Sequence, residues 1–258
     1  MSRWLVSGIP SWVLLVGLVV IVAGGGVLVQ TYVRRRFTAL TGDEHKDVTK
    51  FTYSFIGFIY AFFIGFVVSS MWGAINSADT DARSEGATAV QMATAAEFFT
   101  PADTERIRSA LRAYESAAIA EWSETTRTPA ADAALRDLYS AYAQVQATTD
   151  TQKTLLSSSW SSLEQISQAR TERILTSRED TGPPWPIWVV ILLTSAMVLG
   201  TAIVYGVEKA SLHYPMVIIV GVIVATNLFL VLELSHPYVG VVAIPPDRLQ
   251  EVLSVLPQ

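Results

Sequence analysis

Long apolar runs along the chain alternate with polar stretches in which apolar residues recur every three or four positions. Four runs stand out: Trp12 to Tyr32, Phe51 to Trp72, Trp185 to Tyr205 and Tyr214 to Leu234. None contains a charged side chain except Glu233, in the last turn of the fourth. A helix crosses a hydrocarbon layer of about 30 Å with about 20 residues, and each run has that length. Trp12, Tyr32, Trp72, Trp185, Trp188, Tyr205 and Tyr214 lie near the run ends, where amphipathic rings settle at the headgroup level. Four transmembrane helices are therefore expected. The first is expected to be retained, because its apolar run exceeds a signal-peptide core and its basic cluster follows the run instead of preceding it.

Between the second and third runs the pattern changes. Residues 74–184 hold 16 acidic and 10 basic side chains among many Ala, Ser and Thr. Only isolated glycines interrupt Ala78 to Phe98, so the second span is expected to continue into water as a stalk. Thr100, Pro101 and Asp103 form a helix start, with a hydroxyl cap, proline at the first helical position and an acid in the first turn. The stripe Ile107, Leu111, Tyr114 and Ala118 follows. Thr128 and Pro129 repeat the signal before Leu135, Leu138, Tyr142 and Val145. A last helix, from about Thr151 to Thr176, carries Leu156, Trp160, Leu163, Ile166 and Ile174 and ends at Gly182, Pro183, Pro184 and Pro186. The reading is an all-α, four-span protein with a helical domain inserted between spans two and three. Its expected segments are 1–73 with spans one and two, 74–184 as the inserted domain, 185–234 with spans three and four, and 235–258 as a polar C-terminal tail.

Composition agrees: 51% of residues are apolar and 16% charged. With no cysteine, disulfides and thiolate metal sites are excluded. There is no phosphate-cradling loop, nucleophile elbow or paired-carboxylate constellation, so an enzyme is not expected, nor a cofactor or metal. The acidic inserted domain argues against nucleic-acid binding. The glycines Gly24 to Gly26 lie within a span and read as close packing or a bend.

Two patterns share the second span. Gly57, Ala61, Gly65, Ser69 and Gly73 recur every four residues, a small-residue face on which another membrane helix can pack closely. Phe51, Phe55, Phe58, Phe62 and Phe66 form an aromatic stripe able to narrow a pore and gate it by dewetting; lipid or core packing is the alternative role. In the fourth span Asn227 is an amide that needs a partner away from lipid. Glu233 and His236 share a face, as a helix-terminal contact or ion pair rather than a metal site. Glu208 and Lys209 read as solvated loop charges.

Orientation is not fixed by the basic residues. Arg34, Arg35, Arg36, Lys46, Lys50 and Lys209 give six on one side, and Arg3, Arg83, Arg170, Arg173, Arg178 and Arg248 give six on the side of the termini and inserted domain. The triplet Arg34 to Arg36 favours a cytoplasmic loop at 34–50.

The stretch GFIYAFFIGFVVSSMWGAINSADTDARSEGATAVQMA at 57–93 resembles the bestrophin-like family of bacterial membrane proteins, with Trp72 closing the span and Glu85 in its continuation. Tyr114, Glu121 and Trp122 in AYESAAIAEW, and the closing LELSHPYVGVVAIPPDRL at 232–249, extend the resemblance over most of the chain after residue 40. Bestrophins are pentameric anion channels with an aromatic and aliphatic neck on the second of four membrane segments. The resemblance implies such a neck at the phenylalanine stripe, placed by segment and character. It also implies a cytosolic inserted domain, opposite to what the arginine triplet favours. The acidic calcium-binding cluster of animal bestrophins has no counterpart, so calcium gating is not implied.

Two functional readings follow. In the first, the chain forms a homo-oligomer in the bacterial cytoplasmic membrane that conducts an inorganic anion, with Arg34, Arg35, Arg36 and Arg83 at its mouths. In the second, it is a non-conducting scaffold or sensor whose helical domain binds a protein partner.

Overall fold

A computed structural model of the chain describes residues 2–36, 46–122, 124, 126–178, 182–204 and 210–255. Every described element is a helix: α1 (Ser2–Gly8), α2 (Ser11–Val19), a π-helical turn (Val20–Gly24), α3 (Gly25–Arg36), α4 (Lys46–Ala95), a 3₁₀ turn (Ala96–Phe98), α5 (Pro101–Ala120), α6 (Pro129–Ala143), α7 (Asp150–Arg178), α8 (Trp185–Val204), α9 (Ala210–Leu234) and α10 (Asp247–Val255). Four segments are long and apolar enough to cross a membrane: Ser11–Arg36, Tyr53–Phe98, Trp185–Val204 and Ser211–Leu234. The helical domain follows the second, as the hydropathy pattern requires. At 1.5 Å per residue, the 50 residues of α4 extend about 75 Å, so one helix serves as span and stalk.

The chain divides into two compact units. One comprises Met1–Gly73 with Thr181–Val242, the other Ala74–Asp180 with Ala243–Gln258. In the membrane unit, α9 crosses the first span at Gly221, where an added Cβ would lie 2.7 Å from Ala23 Cα. Gly26 similarly lets α3 approach Leu199 and Val217, while Gly24 and Gly25 border open space. The π turn, which ends at Gly24, adds one residue to the helical repeat there. Two buried polar side chains of this unit have partners within it, whereas the buried Gln30 amide has no hydrogen-bond partner among the described residues. Ser195 Oγ donates to the Tyr60 hydroxyl at 3.4 Å, and His213 Nε2 lies 2.9 Å from the Ala202 carbonyl it can serve as donor.

In the second unit, Thr100 accepts from the Asp103 amide and Thr128 from the Ala131 amide, so both threonine–proline starts cap helices. Ile107, Leu111, Tyr114, Ala118, Leu135, Leu138, Tyr142 and Val145 are buried. The stalk part of α4 is buried through Ala78, Ala82, Glu85, Ala89, Met92 and Ala93, mostly small residues that admit close neighbours. The expected polar tail from 235 differs from this arrangement. Residues up to Val242 belong to the membrane unit, and Asp247–Val255 is a helix that buries Leu249 and Val252 in the second. With Leu253 they stand at i, i+3 and i+4, the spacing of an amphipathic helix.

Candidate functional site

Three sets of side chains share the membrane part of α4. Tyr60, Ile64, Val67, Met71 and Ile75 are buried, and this is the face that packs within the chain. Phe55, Phe58, Phe62 and Phe66 are exposed, Phe62 at 71%. At about 100° per residue, the aromatic stripe lies about 175° around the helix from the buried face. Gly57, Ala61, Gly65, Ser69 and Gly73 drift around the flank toward the aromatic face, because a four-residue repeat overshoots the 3.6-residue turn by about 40°. A Cβ added at Gly57, Gly65 or Gly73 would meet nothing within 4 Å, so among the described residues no helix packs closely against these three glycines. The Phe51 side chain lies outside the described residues, as do Tyr205, Glu208 and Lys209.

The remaining expected residues are spread through the molecule. Arg35 and Arg36 are exposed at the end of α3 and Arg34 is half-buried. Arg83 is paired with Asp79, Nε to Oδ2 2.7 Å, which compensates its charge as an anion contact. Asn227 is half-buried on α9. Glu233 and His236 are both buried. Glu233 Oε2 accepts from the Val241 amide at 3.1 Å, a helix-terminal contact that folds the following turn back on α9. That turn passes through Gly240 at φ 102°, where a side chain would collide with the Glu233 carboxylate. An open apolar groove of about 280 Å³ runs along the first span, lined by Ile21, Gly25, Val29, Leu199, Val224 and Leu228.

The densest chemistry is in the second unit, at residues with no physical role assigned from their spacing. Arg170 is 1% exposed and grips Glu121 with both arms, Nε to Oε2 and Nη2 to Oε1 each at 2.8 Å, while Nη1 donates to Asp132 at 2.8 Å. Glu121 Oε1 also accepts from the Thr128 amide and hydroxyl at 2.5 and 3.0 Å. Burial pushes the Glu121 carboxyl up, but the hydrogen bonds from Arg170 and Thr128 and the arginine's charge hold it below its ordinary value. Arg173 lies one turn along α7, 3.8 Å from both Glu85 and Glu121, with its guanidinium carbon 4.8 Å from the Trp122 ring centroid. Tyr114 donates to Glu85 Oε1 at 2.9 Å, and Trp122 Nε1 to the Ile244 carbonyl at 2.8 Å. Among the described residues, no group of three metal-ligating side chains forms.

The bestrophin-like domain model matches residues 20–249, nearly the whole chain. The chain belongs to the bestrophin-like family. It also resembles two mutant crystal structures of a bacterial bestrophin homolog from Klebsiella pneumoniae. One superposes with a TM-score of 0.70 at 13% identity, covering 94% of this chain and 98% of that one. The other gives 0.65 at 16% identity, with 93% and 97% covered. At these identities the likeness is one of fold. No curated protein matches significantly. Membership brings a general channel-like, non-enzymatic function and makes this bestrophin-like protein a multi-pass protein of the bacterial inner membrane. Glu85, Tyr114, Glu121 and Trp122, quoted above as bearers of the resemblance, are the residues the fold gathers around Arg170 and Arg173.

Proposed function

We propose that the protein is a homo-oligomeric anion channel whose path is narrowed by Phe55, Phe58, Phe62 and Phe66. The observation that carries this reading is the position of the aromatic stripe, on the side of α4 away from the helix face buried in its own chain. In a ring of copies with α4 innermost, that stripe lines the axis. Gly57, Gly65 and Gly73, against which no described residue packs closely, offer small-residue positions for the next copy's α4. A phenylalanine ring around a narrow passage repels water and opens only as it widens. Arg35 and Arg36 raise the local anion concentration at one mouth. A five-membered ring and the anionic cargo are taken from the family's resemblance to bestrophins, and the same resemblance places the inserted domain in the cytosol.

Anion flux into liposomes tests this, with native protein, Phe62→Ala and a protein-free control. Native flux above the control, raised by the substitution, is expected. Because the chain has no cysteine, single cysteines at 55, 58, 62 and 66 can be probed with a charged thiol reagent without background labelling. The stripe should label while Ile64→Cys, on the buried face, does not. Flux equal to the control across pH, voltage and divalent ions, with an unlabelled stripe, would replace this reading with the non-conducting scaffold.

A further inference from the structure

Next to Tyr114 on α5, the second unit buries a carboxyl group that makes no hydrogen bond among the described residues. Glu115, on α5, is 0% exposed, and neither carboxylate oxygen has a hydrogen-bond partner among the described residues. From α4 it is faced by Glu85, and from α7 by Arg173. From α6, Asp132 is committed to Arg170. α10 turns Leu249 and Val252 inward and leaves Asp247 and Glu251 exposed. On α5 itself Arg108 pairs with Glu97, and Arg112 is half-buried.

The charges do not balance if every group is ionised. Arg170 is engaged by Glu121 and Asp132, so of the two α7 arginines Arg173 is the one that remains for Glu85 and Glu115, and it also faces Glu121. A buried carboxylate with neither a donor nor a close cation is strongly disfavoured relative to the neutral acid. Of the two, Glu85 accepts the Tyr114 hydroxyl, which favours its anion, whereas Glu115 accepts nothing. Arg173 has slack as well, since its Nε and Nη2 are buried without a hydrogen-bond partner.

We propose that the Glu85–Glu115 pair is a proton-binding site, with the proton resident on Glu115, and that its release redirects Arg173 from Trp122 toward Glu115. The ligand is a proton, given up to solvent water as the acid becomes a carboxylate. Burial and the neighbouring Glu85 push the Glu115 carboxyl well above its ordinary 4.5 against the opposing charge of Arg173, so it holds its proton where an unfolded glutamate has lost it. Stability of the unit therefore falls as pH rises above 4.5, until Glu115 itself titrates. This inference stands independently of conduction.

Infrared difference spectra of the full-length protein in lipid nanodiscs, titrated over pH, test it. The native protein should show the carbonyl stretch of a protonated carboxylic acid at neutral pH, bleaching as pH rises. Glu115→Gln should lack that band. Glu85→Gln should keep it, with the transition moved to lower pH because the neighbouring negative charge is gone. The same transition should change Trp122 emission, read as the difference between native protein and Trp122→Phe. A native protein without the band, a band that survives Glu115→Gln, or one that disappears in Glu85→Gln overturns the assignment. Should Glu115→Gln fail to fold, the native titration and the Glu85→Gln arm still decide it.

Discussion

Replacing Arg170 by methionine removes the charge and all three donors while keeping an apolar stem of similar reach. Glu121, 0% exposed, is then left with the Thr128 amide and hydroxyl and with Arg173 at 3.8 Å. Removing one partner of a buried ion pair costs about 3–5 kcal/mol, because the other charge stays behind uncompensated. The surviving Thr128 bonds put the expected loss near the lower end, about 3 kcal/mol. At about 1.4 kcal/mol per factor of ten, amide hydrogen exchange in α5 to α7 should accelerate about a hundredfold when measured locally by mass spectrometry. Arg170→Met combined with Glu121→Gln should recover part of this, with a coupling of about 2 kcal/mol, since the stranded charge is removed as well. The pair also has a pH signature. Because the folded Glu121 carboxyl is held below its ordinary 4.5, its contribution is complete above that value and is lost as pH falls through the folded pKa. Acid sensitivity from this source should vanish in Arg170→Met. An acceleration under tenfold, or a double variant losing the sum of the two single losses, would refute the reasoning.

Two further substitutions probe the membrane unit. Gly221→Ala places a Cβ 2.7 Å from Ala23 Cα and 2.9 Å from Ala23 Cβ, and a backbone atom cannot swing aside, so a loss of about 1–3 kcal/mol is expected as a lower unfolding temperature in detergent. Gly17→Ala, where nothing lies within 4 Å, should be neutral in the same assay. Gly240→Ala should cost about 1–2 kcal/mol. Its φ of 102° suits glycine, and the new methyl meets the Glu233 carboxylate and lies 2.9 Å from Val6 Cγ1; unfolding temperature in detergent reads this loss too.

The spans are legible because a membrane helix is declared by composition over a window, and the two capped helices because Thr–Pro pairs are local. Which face of a span turns inward is another matter. In α4 nearly every position is apolar, so aromatic and small-residue repeats stand out, while the stripe that packs in the chain, Tyr60, Ile64, Val67, Met71 and Ile75, contrasts with nothing around it. The charged cluster was hidden for the converse reason. On α7 the buried positions Ser159, Leu163, Ile166, Arg170, Arg173, Ile174 and Ser177 follow one helical stripe, but its apolar members are interrupted between Ile166 and Ile174 by the two arginines. Arg170 and Arg173 then read as orientation charges near a span. The available signal was their spacing: two arginines three apart on the continuation of a core face require acids opposite them. Which acids those are is not a local property, because Glu121 and Arg170 are 49 residues apart in sequence and meet only when α5 and α7 pack.

The same reasoning explains why the two regions differ in what a single chain completes. In the second unit a buried ion pair left unmet is costly, so the fold closes the Arg170 network within one copy. In the membrane no such demand falls on a phenylalanine or glycine facing outward, since lipid and a neighbouring helix are almost equally apolar. The exposed aromatic and small-residue faces of α4 are thus stable as they stand, and the flux and cysteine-labelling outcomes at Phe62 distinguish an axial surface from one left to lipid.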